Sequence, residues 1–363
     1  MPLKTTRSDK GAPVKGRGAP ANIEGRFETW SRESADDGWA HDEADLPPLK
    51  TEVTREFAKS IISRNNSPDI GFDASINPYR GCEHGCSYCY ARPSHAYLGL
   101  SPGLDFETRL FAKVNAAERL SVELAAPGYV CKSIAIGANT DAYQPIEREL
   151  RITRSIIEVL FAADHPFSVV TKNALIERDI DLMAPMAAKH LVRTFVSVTS
   201  LDPLLARKLE PRAAAPYRRL ETIKRLADAD IPVGVMIAPV IPFLNDRHIE
   251  EILERAREAG ASEAGYVLLR LPHEVAPLFR TWLATHFPLK ADHVMSLVRQ
   301  MRGGKDYVST FGERQTGTGN FADLIAMRFD RTCKRMKLNE RYHEPLDHSL
   351  FRPPKTGPQM DLF

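Results

Sequence analysis

Apolar residues in this chain fall into short β-branched runs separated by longer stretches with helical spacing. The runs are SIAIG (133–137), FSVVTK (167–172), TFVSVTS (194–200), VGVMIAPV (233–240) and AGYVLLRL (264–271). Each has the length of a strand. FDASINPYRG (72–81) supplies a first strand ahead of them. Between the runs, Ile156, Val159, Leu160 and Ala163 repeat at helical spacing, as do Leu220, Ile223 and Leu226. A further helix is bracketed by Asp246, an N-cap residue type, and Gly260, a C-cap type. Strands recur at roughly 30-residue intervals, the size of a βα unit. Runs apolar on both faces suit parallel strands covered by helices. The pattern predicts an α/β fold of six such units, either an open doubly wound sheet or most of a TIM-like barrel. No G-x-G-x-x-G follows the first strand, which argues against a dinucleotide site. In both architectures ligands bind at the C-terminal ends of the strands.

The periodicity stops at both ends. Residues 1–50 are polar, rich in Gly and Pro and without apolar repeats, so they read as a disordered tail. Residues 51–70 lead into the repeating α/β region, 71–290, which is also the stretch covered by the family resemblance described below and would be its partial barrel. Residues 291–351 form a C-terminal extension whose Gly303, Gly304, Gly312, Gly317 and Gly319 suit loops that cover the open barrel, and 352–363 is a loose tail. Within the extension Arg328, Arg331, Lys334, Arg335, Lys337 and Arg341 make a basic run. It reads as a solvated helix face, with a phosphate-contacting patch as the alternative.

Composition, 43% hydrophobic and 26% charged, is that of a soluble globular protein. A net charge of +2 gives no electrostatic argument for nucleic acid or membrane. No stretch approaches the ~18 uninterrupted apolar residues of a membrane span. The N-terminus lacks the apolar core of a secretory signal, and a cytoplasmic location is expected.

Cysteine changes the picture. Three of the five thiols, Cys82, Cys86 and Cys89, sit in CEHGCSYCY directly after the first strand, flanked by Gly81 and Gly85. Three clustered thiols in an odd total point to a metal site in a reducing compartment rather than to disulfides. One reading is zinc, with His84 completing a Cys3His set in a non-enzymatic module that contacts nucleic acid or a protein. That would draw four ligands from eight consecutive residues, whereas structural zinc sites use two separated pairs. A second reading is a fully ligated electron-transfer cluster, which needs a fourth cysteine. Cys131 lies before strand two, at the wrong end of the sheet, and Cys333 belongs to a helical stripe with Phe321, Ile325, Phe329 and Met336. A third reading makes the shortage useful: three thiolates hold three irons and leave a fourth iron open.

C-x3-C-x2-C, with Tyr88 before the last cysteine and Tyr90 after it, resembles the signature of the radical S-adenosylmethionine (SAM) superfamily. INPYRGCEHGCSYCYARPSHAYLG resembles the branch grouped with spore photoproduct lyase and DNA-repair photolyase-like proteins. The resemblance implies a partial (β/α)6 barrel holding a [4Fe–4S] cluster on Cys82, Cys86 and Cys89. SAM would chelate the open iron and be cleaved reductively to a 5′-deoxyadenosyl radical that abstracts hydrogen from a substrate. It implies an electron donor such as flavodoxin or ferredoxin, and its branch leans toward a nucleic-acid substrate. It further implies that Asn139, Thr140 and Asp141 offer acceptors to the SAM amine, although the family's Gly-Gly-Glu-like stretch is replaced here by GANTDAYQPIE. Lys172 and Arg212 would meet the SAM carboxylate, Ser197 would face the cofactor, and Tyr88 and MIAPVIP would lie by the adenine. Arg270 would face the substrate. The loop after strand two carries no cysteine to donate hydrogen as in photoproduct lyase, so the same repair route is not expected.

Overall fold

The computed structural model describes residues 14–28, 49–340 and 345–355. Its ten strands are β1 (Glu52–Glu56), β2 (Ile62–Arg64), β3 (Ala74–Ile76), β4 (Tyr79–Arg80), β5 (Arg109–Lys113), β6 (Ile134–Ile136), β7 (Phe167–Thr171), β8 (Val192–Ser197), β9 (Val233–Val240) and β10 (Glu263–Leu268). The larger sheet has the order β10-β9-β8-β7-β6-β3-β2. Its six strands from β3 to β10 pair in parallel, and β2 is an antiparallel edge on β3. All six β-branched runs are therefore strands, in sequence order, as a partial (β/α)6 barrel requires.

Strand side chains and helix stripes meet in one core. Ile76, Ile136, Val169, Val196 and Val235 are buried along the sheet. The helices Ile152–Ala162, Pro216–Asp228 and Ile249–Glu258 bury Ile156 and Leu160, Ile223 and Leu226, and Ile252 and Leu253 against it. Burying a Val, Leu or Ile side chain stabilises by about 1.5–3 kcal/mol before the entropy of ordering it is subtracted.

Two features differ from the sequence expectation. Strands β1, β5 and β4 form a small second sheet beside the cysteine loop, with β1 parallel and β4 antiparallel to the central β5. Residues 14–28, expected to belong to a loose tail, are packed instead. Gly18 and Ala19 donate their backbone N–H groups to the Glu107 carboxylate at 3.0 and 2.8 Å, and Arg17 donates to the Glu107 carbonyl at 3.0 Å. Composition misled here because a polar, glycine-rich strand of chain can be held by buried acceptors rather than by apolar area. The other residues of the expected tail, 1–13 and 29–48, lie outside the described residues, as do Arg341 and 356–363.

In the C-terminal extension the helix Asn320–Met336 buries Ile325, Phe329 and Cys333. The basic run faces acidic neighbours. Arg328 pairs with Glu250 at 2.7 Å, and Arg335 with Glu254 at 2.5 Å. Two of its charges are thus neutralised within the chain. Among the described residues no helix is long and apolar enough to cross a membrane.

Candidate active site

The segment Cys82–Tyr90 follows β4 at the C-terminal end of the parallel strands. Its shape is imposed from every side. Cys82 donates its N–H to the Phe106 carbonyl at 2.9 Å, and Ser87 donates to Leu209 at 3.0 Å. The Thr140 hydroxyl and the Gln144 amide both donate to the Gly81 carbonyl, at 2.7 and 3.3 Å. Arg92 lies behind the loop, fully buried, and donates to the Cys86 carbonyl from Nε at 2.9 Å and Nη2 at 2.8 Å. Its charge is matched by Glu107, equally buried and bonded to the same guanidinium.

Glycine is required at the turn. Gly85 has a φ of +64°, and a Cβ there would sit 2.5 Å from Glu107 Oε2. The N-terminal strap presses on the same point. A Cβ on Gly18 would lie 1.6 Å from the Gly85 oxygen, so two glycine backbones touch where no side chain fits.

Cys82, Cys86 and Cys89 line one cavity of about 340 Å³ at the strand ends. Burial, then the negative charge of Asp141, raises the Cys82 thiol well above its ordinary pKa. Burial pushes the Cys86 thiol up to about 12. Such thiols ionise only against a compensating cation, and that is the role of an iron site. Among the described residues no three His, Cys, Asp or Glu side chains gather closely enough to hold a single ion. His84 is engaged elsewhere: its Nδ1 is 3.3 Å from Asp141, and its Nε2 is 3.3 Å from the Asn173 amide. The donor set therefore does not fit mononuclear zinc. Three separated thiols facing one cavity fit a cluster whose irons each take one thiolate.

The other sequence-predicted residues divide. Lys172 lines the cavity, and among the described residues no hydrogen bond or ion pair holds its ammonium. Burial works against its charge, but Cys86, Glu210 and Asp141 outweigh burial and raise its pKa. Asn139 and Ser197 also line the cavity. Thr140 and Asp141 line it too, but their polar atoms are occupied. Thr140 ties down Gly81. Asp141 accepts from Tyr143 N–H (2.9 Å) and the Thr171 hydroxyl (2.7 Å) on one oxygen. Its other oxygen accepts from Lys172 N–H (2.8 Å) and faces His84. A carboxylate has about four acceptor positions, so none is left for a ligand amine. Burial would raise its pKa, but His84, the Lys172 N–H and the Thr171 hydroxyl hold it well below the usual range.

Arg212 does not join the cavity. It is not among the cavity-lining residues; its N–H donates to the His84 carbonyl at 3.3 Å, and its guanidinium pairs with Glu83 at 3.0 Å. Tyr88 does line the cavity, with its hydroxyl donated to Glu210. Glu210 also accepts from Thr199 at 2.6 Å and from the buried Arg219. The sequence reading missed this Glu210–Arg219 pair and the Arg92–Glu107 pair. Neither has a local signature, since each joins residues from different elements. Cys131, before β6, and Cys333, in the core, lie away from the cavity.

The outer wall comes from Phe72, Tyr90, Arg270 and Gln315. Gln315 is clipped down: its amide donates to the Asp69 carbonyl at 2.7 Å, and Arg314 forks onto the Asp69 carboxylate at 2.7 and 2.5 Å.

Six parallel strands, a three-cysteine loop at their C-terminal ends and a shared cavity are thus assembled in one place. The radical SAM superfamily profile matches residues 76–256. The chain belongs to the radical SAM superfamily. A protein of Mycobacterium tuberculosis strain H37Rv, described as uncharacterized, is 36% identical over 67% of this chain and 73% of its own. An uncharacterized protein of Methanocaldococcus jannaschii is 26% identical over 54% of this chain and 71% of its own. Among solved structures, a mutant of spore photoproduct lyase superposes with a TM-score of 0.57 at 16% identity, covering 84% of this chain and 87% of that one. A double mutant of that lyase with bound AdoMet and dinucleoside spore photoproduct gives 0.56 at 16%. At such identity the likeness is one of fold. Membership of the radical SAM superfamily makes the chain an enzyme and implies a [4Fe–4S] cluster and SAM as its cofactors.

Proposed function

We propose that Cys82, Cys86 and Cys89 hold the cluster and that SAM occupies the cavity beside them, with the outer half left for substrate. The observation that carries this reading is one cavity lined by both the three thiols and Lys172, whose ammonium has no hydrogen bond or ion pair among the described residues. At about 340 Å³ it lies within the ~300–1,000 Å³ usual for small-molecule sites. The cluster, when bound, supplies the electron that cleaves SAM to a 5′-deoxyadenosyl radical.

The chain's own residues do the rest. Lys172 pairs with the SAM carboxylate, a role that Arg212, bound to Glu83, does not fill. Asn139 offers its side-chain amide to the SAM amine, since the oxygens of Asp141 are occupied. Ser197, Tyr88 and the apolar wall at Met236 and Pro239 flank the adenine. Burial keeps water from the reacting atoms. The substrate is a nucleic-acid component. Tyr90, 45% exposed with Arg270 over its ring at 5.0 Å, supports this reading as a stacking platform for a base. The electron comes from a flavodoxin- or ferredoxin-type carrier.

Anaerobic reconstitution tests the assignment. Wild-type protein should take up about four irons, show an EPR signal that changes on adding SAM, and release 5′-deoxyadenosine with dithionite. Retention of SAM cleavage by Cys82→Ala would refute it.

A further inference from the structure

Among the described residues three arginines are fully buried: Arg92, Arg219 and Arg302. Arg92 is neutralised by Glu107 and Arg219 by Glu210. Arg302 has no carboxylate partner among the described residues. Its Nη1 donates to the Glu313 carbonyl at 2.6 Å and its Nη2 to the Leu269 carbonyl at 3.0 Å, while its Nε is buried without a partner. The next residue after Leu269 is Arg270, which lines the cavity. Its guanidinium also lacks an ion pair or hydrogen bond among the described residues, its Nε is also buried without a partner, and only the Tyr90 ring lies against it. Burial, and then Arg270, lower the Arg302 pKa to about 10, so the two cations are near enough to repel.

Two adjacent guanidiniums without an anion are costly in a partly buried setting. Arg92 and Arg219 are each matched by a carboxylate; among the described residues this pair is not. We propose that Arg270, backed by Arg302, forms an oxyanion site at the outer rim of the cavity and receives a phosphate of the substrate. The guanidinium fork matches a phosphate in two parallel bonds. Arg270 covers one face of the Tyr90 ring at 5.0 Å, so a base packed against the remaining exposed part of that ring would hold its phosphate near Arg270. Arg302 is a positioning residue, fixing the main chain at Leu269 and the 313–315 segment that carries Gln315. Lys172, which serves the other half of the cavity, is not part of this site.

The assignment rests on reading the cavity as the substrate site, and it is tested without turnover. Binding of labelled thymidine dinucleotide to the cluster-loaded, SAM-saturated full chain is followed by fluorescence anisotropy. Inorganic phosphate serves as competitor, and the neutral methylphosphonate dinucleotide as control. The expected result is about tenfold weaker binding for Arg270→Gln, with a smaller loss for Arg270→Lys. The methylphosphonate should bind wild type as weakly as the natural dinucleotide binds Arg270→Gln. Phosphate binding that depends on Arg270, without dinucleotide binding, would keep the oxyanion site and move its source to a small phosphorylated molecule. Equal affinity of wild type and Arg270→Gln for both probes would overturn the proposal, as would no binding of either by wild type. Absence of SAM cleavage in wild type would instead count against the cluster chemistry alone, because binding requires no electron.

Discussion

Removing Arg92 tests whether the cysteine loop is held from behind by a buried charge. Arg92→Met keeps much of the side-chain volume but removes bonds to the Cys86, Pro102 and Gly103 carbonyls and leaves the buried Glu107 without its ion-pair partner. Breaking one side of a buried pair costs about 3–5 kcal/mol, much of it from the stranded charge. We expect a loss of about 4 kcal/mol, or about three decades in the folding equilibrium, out of a total stability of about 5–15 kcal/mol. The double variant Arg92→Met/Glu107→Leu removes the stranded charge as well. Gly18 and Ala19 then lose their acceptor, at about 1 kcal/mol each, so the double variant should recover about half of the loss. Urea unfolding of the metal-free protein, read by circular dichroism, measures all three. A cost below about 1 kcal/mol for Arg92→Met, or a double variant less stable than the single, would refute the reasoning.

Other consequences are open to measurement. Cys82→Ala, Cys86→Ala and Cys89→Ala should each abolish iron-cluster absorbance, whereas Cys131→Ala and Cys333→Ala should keep it in a visible spectrum of reconstituted protein. Lys172→Gln should weaken SAM binding about tenfold by equilibrium dialysis while leaving iron content unchanged. His165 is held neutral: burial lowers its pKa to about 4, with its ring bonded to Tyr129 at 2.8 Å. The unfolded chain binds that proton near the ordinary 6.5, so stability falls with pH between about 6.5 and 4 by up to about 3 kcal/mol. His165→Phe should flatten that slope in urea titrations at pH 7 and pH 5. Asp69→Ala should release the Arg314–Gln315 clip, seen as faster amide exchange confined to 311–317.

The parts legible in the sequence are those with local causes. A strand such as VGVMIAPV announces itself because β-branched residues suit a doubly covered sheet, and the cysteine loop because its ligands are neighbours in the chain. Lys172 and Asn139 were placed at strand ends by position alone, and both line the cavity. The opposite failure is instructive at Asp141. A carboxylate at a strand end looks like a ligand, yet its availability depends on what else reaches it, and Thr171, Lys172 and His84 come from other segments. Arg212 failed for the same reason, since its partner Glu83 is far away in sequence. Residues 14–28 were misread because order there comes from Glu107, to which composition is blind.

The clip at Asp69 bears on how the holoenzyme is made. The three thiols are translated early, but the wall that narrows their cavity is not finished until residues 312–315 have been translated and have closed onto Asp69. During synthesis there is thus an interval in which the cysteines face an open bowl. The width of the cavity mouth is thus set by a contact between residues more than 240 positions apart, so the C-terminal extension governs access to a loop near the other end of the chain.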